Sequence, residues 1–588
     1  MASLLAGCVS TAPPPATVVA PTVRPTAAAP TAAPVENVAL GKLAMASAAL
    51  PDGPPTMAVD GDIETTWVAG GHPTQWIEID LGAAFDIDQL RLTIAQTPDG
   101  KTVHRVWGGA AQGEIRLLHE FSAETTEGQV LEANPAPAWS AIRYLKIETT
   151  ESPSWVAWRE IEAFGRAAEP VAATSGQADI VFYNGNVLTM EGGPVQAIAI
   201  TGDEILALGT DAEILALASA AARRVDLEGR TLTPGFIDSH SHRISQRYKW
   251  GFEGAGEAFE EALRQGWTGL TELAMDEAQW NELRDLAASG RLTIRVDSYL
   301  LFDTFEGDPL PEWYNAYRPG QRFGPYLRAA GLKFFIDFDS GRVLFFDPPG
   351  LAEQIRLRRS EGWQLALKAI GAQSHQLALD AIELAESRED VRDARYRIEH
   401  ALAQTAEQQA RMARMGVIAS IQPGLVGVVA SWPDIQALIV EEGAETVSNW
   451  RGLLDAGALM AGSPFNPDGA NDEYTADSHM SPIGVMYRGA TQIGLGGTRP
   501  QPWMVDHALT VEEILPLLTI DAAYAIAQEN SRGSLAPGKL ADLVILSADP
   551  RTVAVADLLE IGVLMTMVGG EVAWCAPEAQ AWCPGRGE

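Results

Sequence analysis

The spacing of apolar and polar positions changes twice along the chain. Between about residues 38 and 165, apolar residues alternate with polar ones in short runs such as Trp76–Leu81, and Gly, Pro and Asp interrupt these runs. This alternation is typical of strands with one buried face, and many short strands predict an all-β sandwich. Beyond residue 236, apolar strands alternate with helical stretches. That pattern predicts a parallel sheet, and its length is suited to an eight-stranded TIM barrel.

Within the second region, five apolar segments are predicted to be strands and three segments between them helices. The strands are Leu292–Phe302, Gly331–Ile336, Gln364–Ile370, Tyr396–Leu402 and Val417–Gln422, and the helices are Leu351–Glu361, Ser374–Ser387 and Ala406–Met415. Ahead of the barrel, Ala178–Leu188 holds two apolar runs around Asn184-Gly185. This arrangement predicts a β-hairpin.

The start of the chain has the composition of an anchor and a spacer. Residues 9–35 are almost entirely Thr, Ala, Pro and Val, a composition that cannot bury a core and is typical of an extended linker. They follow Leu5–Cys8, which resembles a bacterial lipoprotein box. A secretory signal has a basic start and roughly 7–15 apolar residues, but only Met1–Gly7 precede the cysteine, without Lys or Arg. Either the true start lies upstream or the match is chance, and the spacer favours the first.

We therefore expect residues 1–8 to be a truncated lipoprotein-type signal with lipidation at Cys8, and residues 9–36 to be a linker. The protein is then extracytoplasmic, and a lipid anchor is its one contact with a membrane.

Composition and charge narrow the choice of partners. The 588 residues exceed what one hydrophobic core can organise, so two to four domains are expected. The 42 basic and 77 acidic residues give a net charge of -35, which disfavours binding to nucleic acid and anionic lipid.

Cys575 and Cys583 form either a disulfide, which would suit an oxidising compartment, or two unpaired thiols.

Four segments of the first region occur in the order of a known family: Asn37–Lys42, Ala58–Trp67, Gln75–Gly82 and Glu160–Gly165. They resemble the discoidin (coagulation factor 5/8 type C) domain. The resemblance implies a jelly-roll sandwich over residues 37–166 that docks on a carbohydrate or cell-surface ligand. It also implies a structural calcium held by Asp62, Thr65 and Glu160, oxygen ligands of the kind calcium prefers. The alternative is a turn whose acidic side chains only face water.

Three tryptophans of this region could stack on a sugar or fill the core. The core is favoured for Trp76, and both roles stay open for Trp67 and Trp155.

The segment Pro234–His242 reads Pro-Gly-Phe-Ile-Asp-Ser-His-Ser-His. On a strand, His240 and His242 face the same side, and two imidazoles at the end of a barrel strand are suited to half of a zinc site. In this setting the motif resembles the first-strand signature of the amidohydrolase superfamily. Ala178–Met190 and Gly533–Leu543 resemble the two ends that combine into that family's small β-sandwich.

This second resemblance implies an architecture and a metal centre. After a linker at residues 167–177, it places the composite sandwich at 178–235 and 530–575 and the barrel at 236–529. Gly331–Asp337 resembles the strand that carries a metal-bridging lysine in amidohydrolase family 3, so Lys333 is expected as a carbamate. Arg397–Ala401 resembles the strand of a later ligand, His400. The alternatives are an ordinary ion pair for Lys333 and a core role for His400.

The implied cofactor is a divalent transition metal, with zinc the expected ion, which activates water for hydrolysis of a small amide-type substrate.

Two positions depart from the family pattern. Lys368 stands where a histidine ligand is expected, and Pro464 stands where an aspartate binds metal and acts as the base; Asp468 and Asp472 lie in the following loop. One ion is therefore expected rather than two.

Three functions compete. The first, which we favour, is a mononuclear hydrolase of carbon–nitrogen bonds with a substitute base such as Asp468. The second is a non-catalytic carbohydrate- or surface-binding protein. The third uses Lys368 as a base or nucleophile, which requires a lowered pKa.

Overall fold

The structure is a computed structural model that describes residues 36–50, 53–109, 116–135, 138–167, 177–250, 252–303, 312–337, 343–388, 390–423, 433–464, 481–493 and 499–583. Cys8, the linker up to residue 35, Asp468 and Asp472 lie outside these residues. The chain divides into two compact units, Met1–Ala172 and Ala173–Glu588. Among the described residues, no helix has both the length and the apolar character needed to cross a membrane.

Unit 1 is an antiparallel all-β sandwich. Its strands β1 to β9 are Glu36–Asn37, Leu43–Ala46, Trp67–Val68, Gln75–Ile94, Gly100–Gly109, Arg116–Thr125, Val130–Ala133, Trp139–Glu151 and Ala157–Ala167. The first part of β4 pairs with β8, and its second part pairs with β9 and β7. This one long strand therefore takes part in both layers, and the predicted sandwich is confirmed.

Alternation along β4 decides which side chains fill the core of unit 1. Ile77 and Ile79 are fully buried, together with Trp67 and Trp158. Trp76 faces the opposite side of the strand and is only partly buried. Nζ of Lys146 lies 4.8 Å from its ring centroid. The core role expected for Trp76 is wrong, because that tryptophan lies on the outer face of the same strand.

Unit 2 contains strands β10 to β27 in its described residues. They are Ala178–Tyr183, Asn186–Val187, Ala197–Thr201, Glu204–Gly209, Ala218–Asp226, Thr231–Pro234, Phe236–Ser241, Trp267–Met275, Arg295–Leu301, Arg322–Phe323, Leu327–Phe335, Gln364–Ala369, Arg397–His400, Ile418–Ile421, Leu459–Gly462, Leu543–Leu546, Val563–Val568 and Glu571–Cys575.

The helices α1 to α12 of unit 2 are Asp211–Leu217, Ala255–Arg264, Glu277–Ala288, Pro348–Ser360, Ala372–Glu386, Ala406–Met415, Pro433–Glu442, Trp450–Asp455, Pro482–Thr491, Pro502–Val505, Val511–Leu517 and Ile520–Ala525. Side-chain caps explain several of their starts. In α3, for example, Asp276 accepts a hydrogen bond from the backbone N–H of Gln279, whose side chain bonds back to the cap.

Unit 2 also contains two small sheets. One has the strand order β13-β12-β10-β14 and uses strands from the start of the unit, and the other has the order β11-β15-β25-β26-β27 and combines strands from both ends. The composite sandwich is therefore confirmed. The predicted hairpin around Asn184-Gly185 is wrong, because β10 and β11 lie in different sheets and the turn carries the chain from one to the other. Cys575 and Cys583, at the end of the second sheet, form a disulfide.

Eight parallel strands form the barrel, in the order β16-β17-β18-β20-β21-β22-β23-β24. Between the first and last strands, the Ser239 hydroxyl donates a hydrogen bond to the Gly462 carbonyl at 2.8 Å. The five predicted strands and three predicted helices of this region are present, with bounds that differ by a few residues. Apolar side chains such as Leu332, Leu365 and Ile398 are fully buried in the core of this unit.

Candidate active site

A cavity of about 230 Å³ opens at the carboxyl ends of the barrel strands. Its wall includes all the sequence-predicted site residues of the barrel that the structure describes: His240, His242, Lys333, Lys368 and His400. Active sites of TIM barrels lie at this end, because the strands deliver their last side chains to one rim.

His240 has one ring nitrogen engaged and one open. Its Nδ1 lies 2.7 Å from Oε2 of Glu399, and both side chains are buried. Nε2 is buried without a hydrogen-bond partner among the described residues. Since an ionised carboxylate only accepts hydrogen bonds, Nδ1 carries the proton and Nε2 presents a lone pair. Burial lowers the pKa of His240, which favours this neutral form.

His400 reaches the cavity through an unusual backbone. Its φ is 74°, and that of Ala401 is 39°, both in the left-handed region that non-glycine residues avoid. Adjacent residues of a regular strand face opposite sides, but this turn lets both Glu399 and His400 approach His240. The His400 ring centroid is 4.7 Å from that of His240. Strain of this kind is found at functional sites.

Neighbouring side chains also orient the imidazole rings of His400 and His242. Nδ1 of His400 lies 2.8 Å from the amide oxygen of Gln422, so Nδ1 is the donor and Nε2 the acceptor. Burial holds the pKa of His400 well below its usual range. His242 Nδ1 lies 3.2 Å from the Ser245 hydroxyl. Glu272 anchors this loop by accepting hydrogen bonds from residues 241, 244 and 245.

Lys333 presents a buried amine. Its Nζ has no hydrogen-bond partner among the described residues, so the alternative of an ordinary ion pair finds no support there. Burial lowers the pKa of Lys333 to about 7, with Lys368 and Arg397 adding to the shift and Glu399 opposing it. An amine with this pKa is about half uncharged at neutral pH, and the uncharged form is the one that reacts with CO₂ to give a carbamate.

Lys368 has a partner of its own. Nζ lies 2.9 Å from Oδ1 of Asp337, and the other oxygen of that carboxylate accepts the backbone N–H of Ile370 at 2.7 Å. Both charged side chains are buried. His375 does not replace the missing histidine, because it is buried in α5 with Nδ1 2.8 Å from the Gly371 carbonyl oxygen.

The sequence analysis did not predict the buried carboxylates of Glu399 and Asp303. Glu399 immediately precedes His400, and its position in the motif was the one available signal. Although burial alone would raise the pKa of the Glu399 carboxyl, the guanidinium of Arg397 and the hydrogen bond from His240 hold it well below its usual range. Asp303, just beyond β18, accepts the backbone N–H of Phe335 at 2.9 Å, and burial raises its pKa to about 8.

The chemistry of these donors fits one transition-metal ion, although their geometry does not form a coordination shell. No group of three or more His, Cys, Asp or Glu side chains in the described part of the chain is arranged to hold a metal. However, the open Nε2 of His240, backed by a carboxylate, is the usual arrangement of a ligating histidine. His242, His400 and Lys333 share its cavity.

The predicted calcium residues come together in unit 1. The Thr65 hydroxyl lies within 3.2 Å of four acceptor oxygens, from the Met57 and Asp62 carbonyls and both carboxylate oxygens of Asp60. Glu160 accepts the N–H of Gly61, and its second carboxylate oxygen is buried without a hydrogen-bond partner among the described residues. Burial, with the nearby charges of Asp60 and Asp62, raises the pKa of Glu160 to about 7. Oxygens of this kind are those that a hard cation prefers, although the acidic side chains are not arranged as a metal-binding group in this structure, and Asp60 is the acidic neighbour that the sequence analysis did not name as a ligand.

A separate groove of about 500 Å³ lies on unit 1. Polar and aromatic side chains in its wall include His72, Gln96, Glu127 and Trp155. Trp155 is 49% exposed, whereas Trp67 is fully buried. Of the three tryptophans in question, Trp155 therefore has the free ring face that stacking on a ligand requires.

Comparison with known families agrees with both units. The profile described as amidohydrolase family matches residues 253–573, more than half of the chain. The profile described as NedA-like, galactose-binding domain matches residues 57–135.

Individual relatives match parts of the chain. An N-substituted formamide deformylase from Arthrobacter pascens is 30% identical over 211 residues, which span 36% of each protein. The Protein LONG AFTER FAR-RED 3 of Arabidopsis thaliana is 26% identical over 53% of this chain and 56% of its own length. The chain thus spans about a third to a half of these relatives.

Among solved structures, an uncharacterized metal-dependent hydrolase from Pyrococcus horikoshii covers 64% of this chain and 99% of its own, with a TM-score of 0.53 and 18% identity. At this identity the likeness shows the fold.

Proposed function

The chain belongs to the amidohydrolase family, and from that premise we propose that it is a metal-dependent hydrolase of carbon–nitrogen bonds. The observation that carries this proposal is the open, carboxylate-backed Nε2 of His240 in one cavity with His242, His400 and Lys333.

A single divalent ion, expected to be zinc, would be held by His240, His242 and His400, with Lys333 as a further ligand once CO₂ has converted its amine to a carbamate with loss of a proton. A divalent ion at these residues would supply a bound water with a pKa near neutrality and a polarised substrate carbonyl. The buried pair of Lys368 and Asp337 supports one ion rather than two, because an ammonium stands where a further histidine ligand is expected.

The substrate class we propose is a small N-substituted amide, with N-substituted formamides the first to test. The support is the relative named as an N-substituted formamide deformylase. We propose that Asp468 acts as the general base, because Pro464 stands where the family has the aspartate that serves this role. Lys368 is not the preferred nucleophile, because its ion pair with Asp337 stabilises the ammonium, which has no lone pair.

A second function, carbohydrate binding without catalysis, is supported by Lys368 and Pro464, which stand where the family has metal ligands. In either case we propose that unit 1 binds a galactose-type sugar at Trp155 and a structural calcium at Asp62, Thr65 and Glu160. We also propose an extracytoplasmic, lipid-anchored location. The Leu5–Cys8 motif supports it, and the disulfide between Cys575 and Cys583 suits an oxidising compartment.

The test is a screen of N-substituted formamides and acetamides with the zinc-loaded full chain, read as release of primary amine. Hydrolysis that stops on chelation and in a His240→Ala/His242→Ala variant is expected. Sugar binding without amine release from any substrate of this class, in a protein that does retain metal, would contradict the hydrolase and favour the binding protein.

A further inference from the structure

A buried chain of polar contacts crosses the barrel and ends at His240. Arg397 Nε donates to Oε1 of Glu399 at 2.7 Å, and Oε2 of Glu399 faces Nδ1 of His240 at the same distance. Arg397 Nη2 also donates to the backbone carbonyl of Ser239 at 2.6 Å. The side chains of Arg397, Glu399 and His240 form this chain of contacts, and each is at most 1% exposed. Ser239 contributes only its backbone carbonyl.

These contacts define both the position and the tautomer of the imidazole. Arg397 and Glu399 lie two residues apart on β22, so both point into the barrel, while His240 lies on β16. Arg397 binds the carboxylate and the backbone next to His240 at once, which ties the two strands together. Because the carboxylate accepts from both partners, the proton of His240 is confined to Nδ1.

We propose that Glu399 is a positioning residue that holds His240 in its Nδ1–H tautomer with Nε2 open to the cavity, and that Arg397 holds Glu399 in place. The metal part of this role rests on the proposed function, whereas the tautomer does not. Hydrogen-bond partners behind a ligating histidine fix its orientation and raise its basicity, and their loss weakens metal binding 10–100-fold.

Glu399→Gln has a specific expected consequence. Arg397 has only donors, so the amide oxygen of the glutamine must face Arg397 and its NH₂ group must face His240. Nδ1 then becomes an acceptor, and the proton moves to Nε2. The variant therefore inverts the tautomer and blocks the open nitrogen, with a side chain of the same size.

The first measurement needs no metal. Two-bond ¹H–¹⁵N correlation spectra of the histidine-labelled, metal-free full chain report the tautomer, with His240 assigned from the signals lost in His240→Ala. We expect a protonated Nδ1 in the wild type and a protonated Nε2 in Glu399→Gln. A protonated Nε2 in the wild type, or the same tautomer in both proteins, would overturn the proposal.

The second measurement separates position from charge. Co²⁺ affinity is measured by chelator competition in the wild type, in Glu399→Gln and in Glu399→Asp, which keeps the charge but is one methylene shorter. We expect both variants to bind Co²⁺ about 10–100-fold more weakly. Wild-type affinity in Glu399→Asp with weak binding in Glu399→Gln would show that charge alone acts, and would overturn the positioning role. Should Glu399→Gln fail to fold, Glu399→Asp decides by itself. If the wild type has the expected tautomer but binds no Co²⁺, the proposed function fails while the tautomer assignment stands.

Discussion

Nζ of Lys368 lies 2.9 Å from Oδ1 of Asp337, and both side chains are buried at the mouth of the barrel. The lysine that departs from the family pattern therefore has its own counter-ion. A charge buried without a partner is strongly unfavourable, so the two residues are expected to depend on each other.

Asp337→Asn tests that dependence. The substitution keeps an acceptor for the N–H of Ile370 but removes the carboxylate charge that faces the ammonium of Lys368, so we expect the free energy of unfolding to fall by about 3–5 kcal/mol. The double variant Asp337→Asn/Lys368→Met should recover most of this loss. Urea unfolding of both variants measures the free energy of unfolding. A double variant that is no more stable than Asp337→Asn would contradict the expectation that the two residues depend on each other.

Restoring the family residues should restore a second metal. In Lys368→His/Pro464→Asp, an imidazole and a carboxylate replace an ammonium and a side chain without a ligand atom, so we expect metal content to rise from about one ion per chain to about two. Lys368→Met is the matched control, since it removes the charge without adding a ligand. Equal metal content in all three proteins would show that these positions do not limit the site.

Calcium should stabilise unit 1 more at pH 8 than at pH 5. The pKa of Glu160 is raised to about 7 by burial and by neighbouring acidic residues. For a carboxyl whose folded pKa is raised above its unfolded value, stability is greatest below the unfolded pKa and is lost as pH rises through the folded one. Calcium binds the ionised form and offsets that loss. Calorimetry with and without calcium at the two pH values tests this, with Glu160→Gln as the control that should lose the difference.

Trp155→Ala should weaken binding of galactose by about tenfold, because removal of an exposed aromatic anchor costs on the order of 1–2 kcal/mol. Trp76→Ala is the matched control, since Trp76 is partly exposed but lies outside the groove that Trp155 lines. Equal losses in the two variants would argue against this groove as the sugar site.

The sequence predicted those features that depend on periodicity and on ordered motifs. Alternation predicts the strands of both units. Ordered motifs predict as ligands four residues that share one cavity, His240, His242, Lys333 and His400. The sequence could not reveal the hydrogen bond between Glu399 and Nδ1 of His240, because these residues are 159 positions apart. Nor could it show that Asp337 neutralises Lys368, since pairing across neighbouring strands depends on register. The hairpin predicted at Asn184-Gly185 is wrong because local turn chemistry does not say which sheet receives the next strand.

Metal content of the purified full chain tests the central claim most directly. Plasma mass spectrometry of the wild type, beside His240→Ala/His242→Ala, should find about one zinc-like ion per chain that the variant lacks. No transition metal in either protein would contradict a metal-dependent hydrolase and leave the binding protein as the better account.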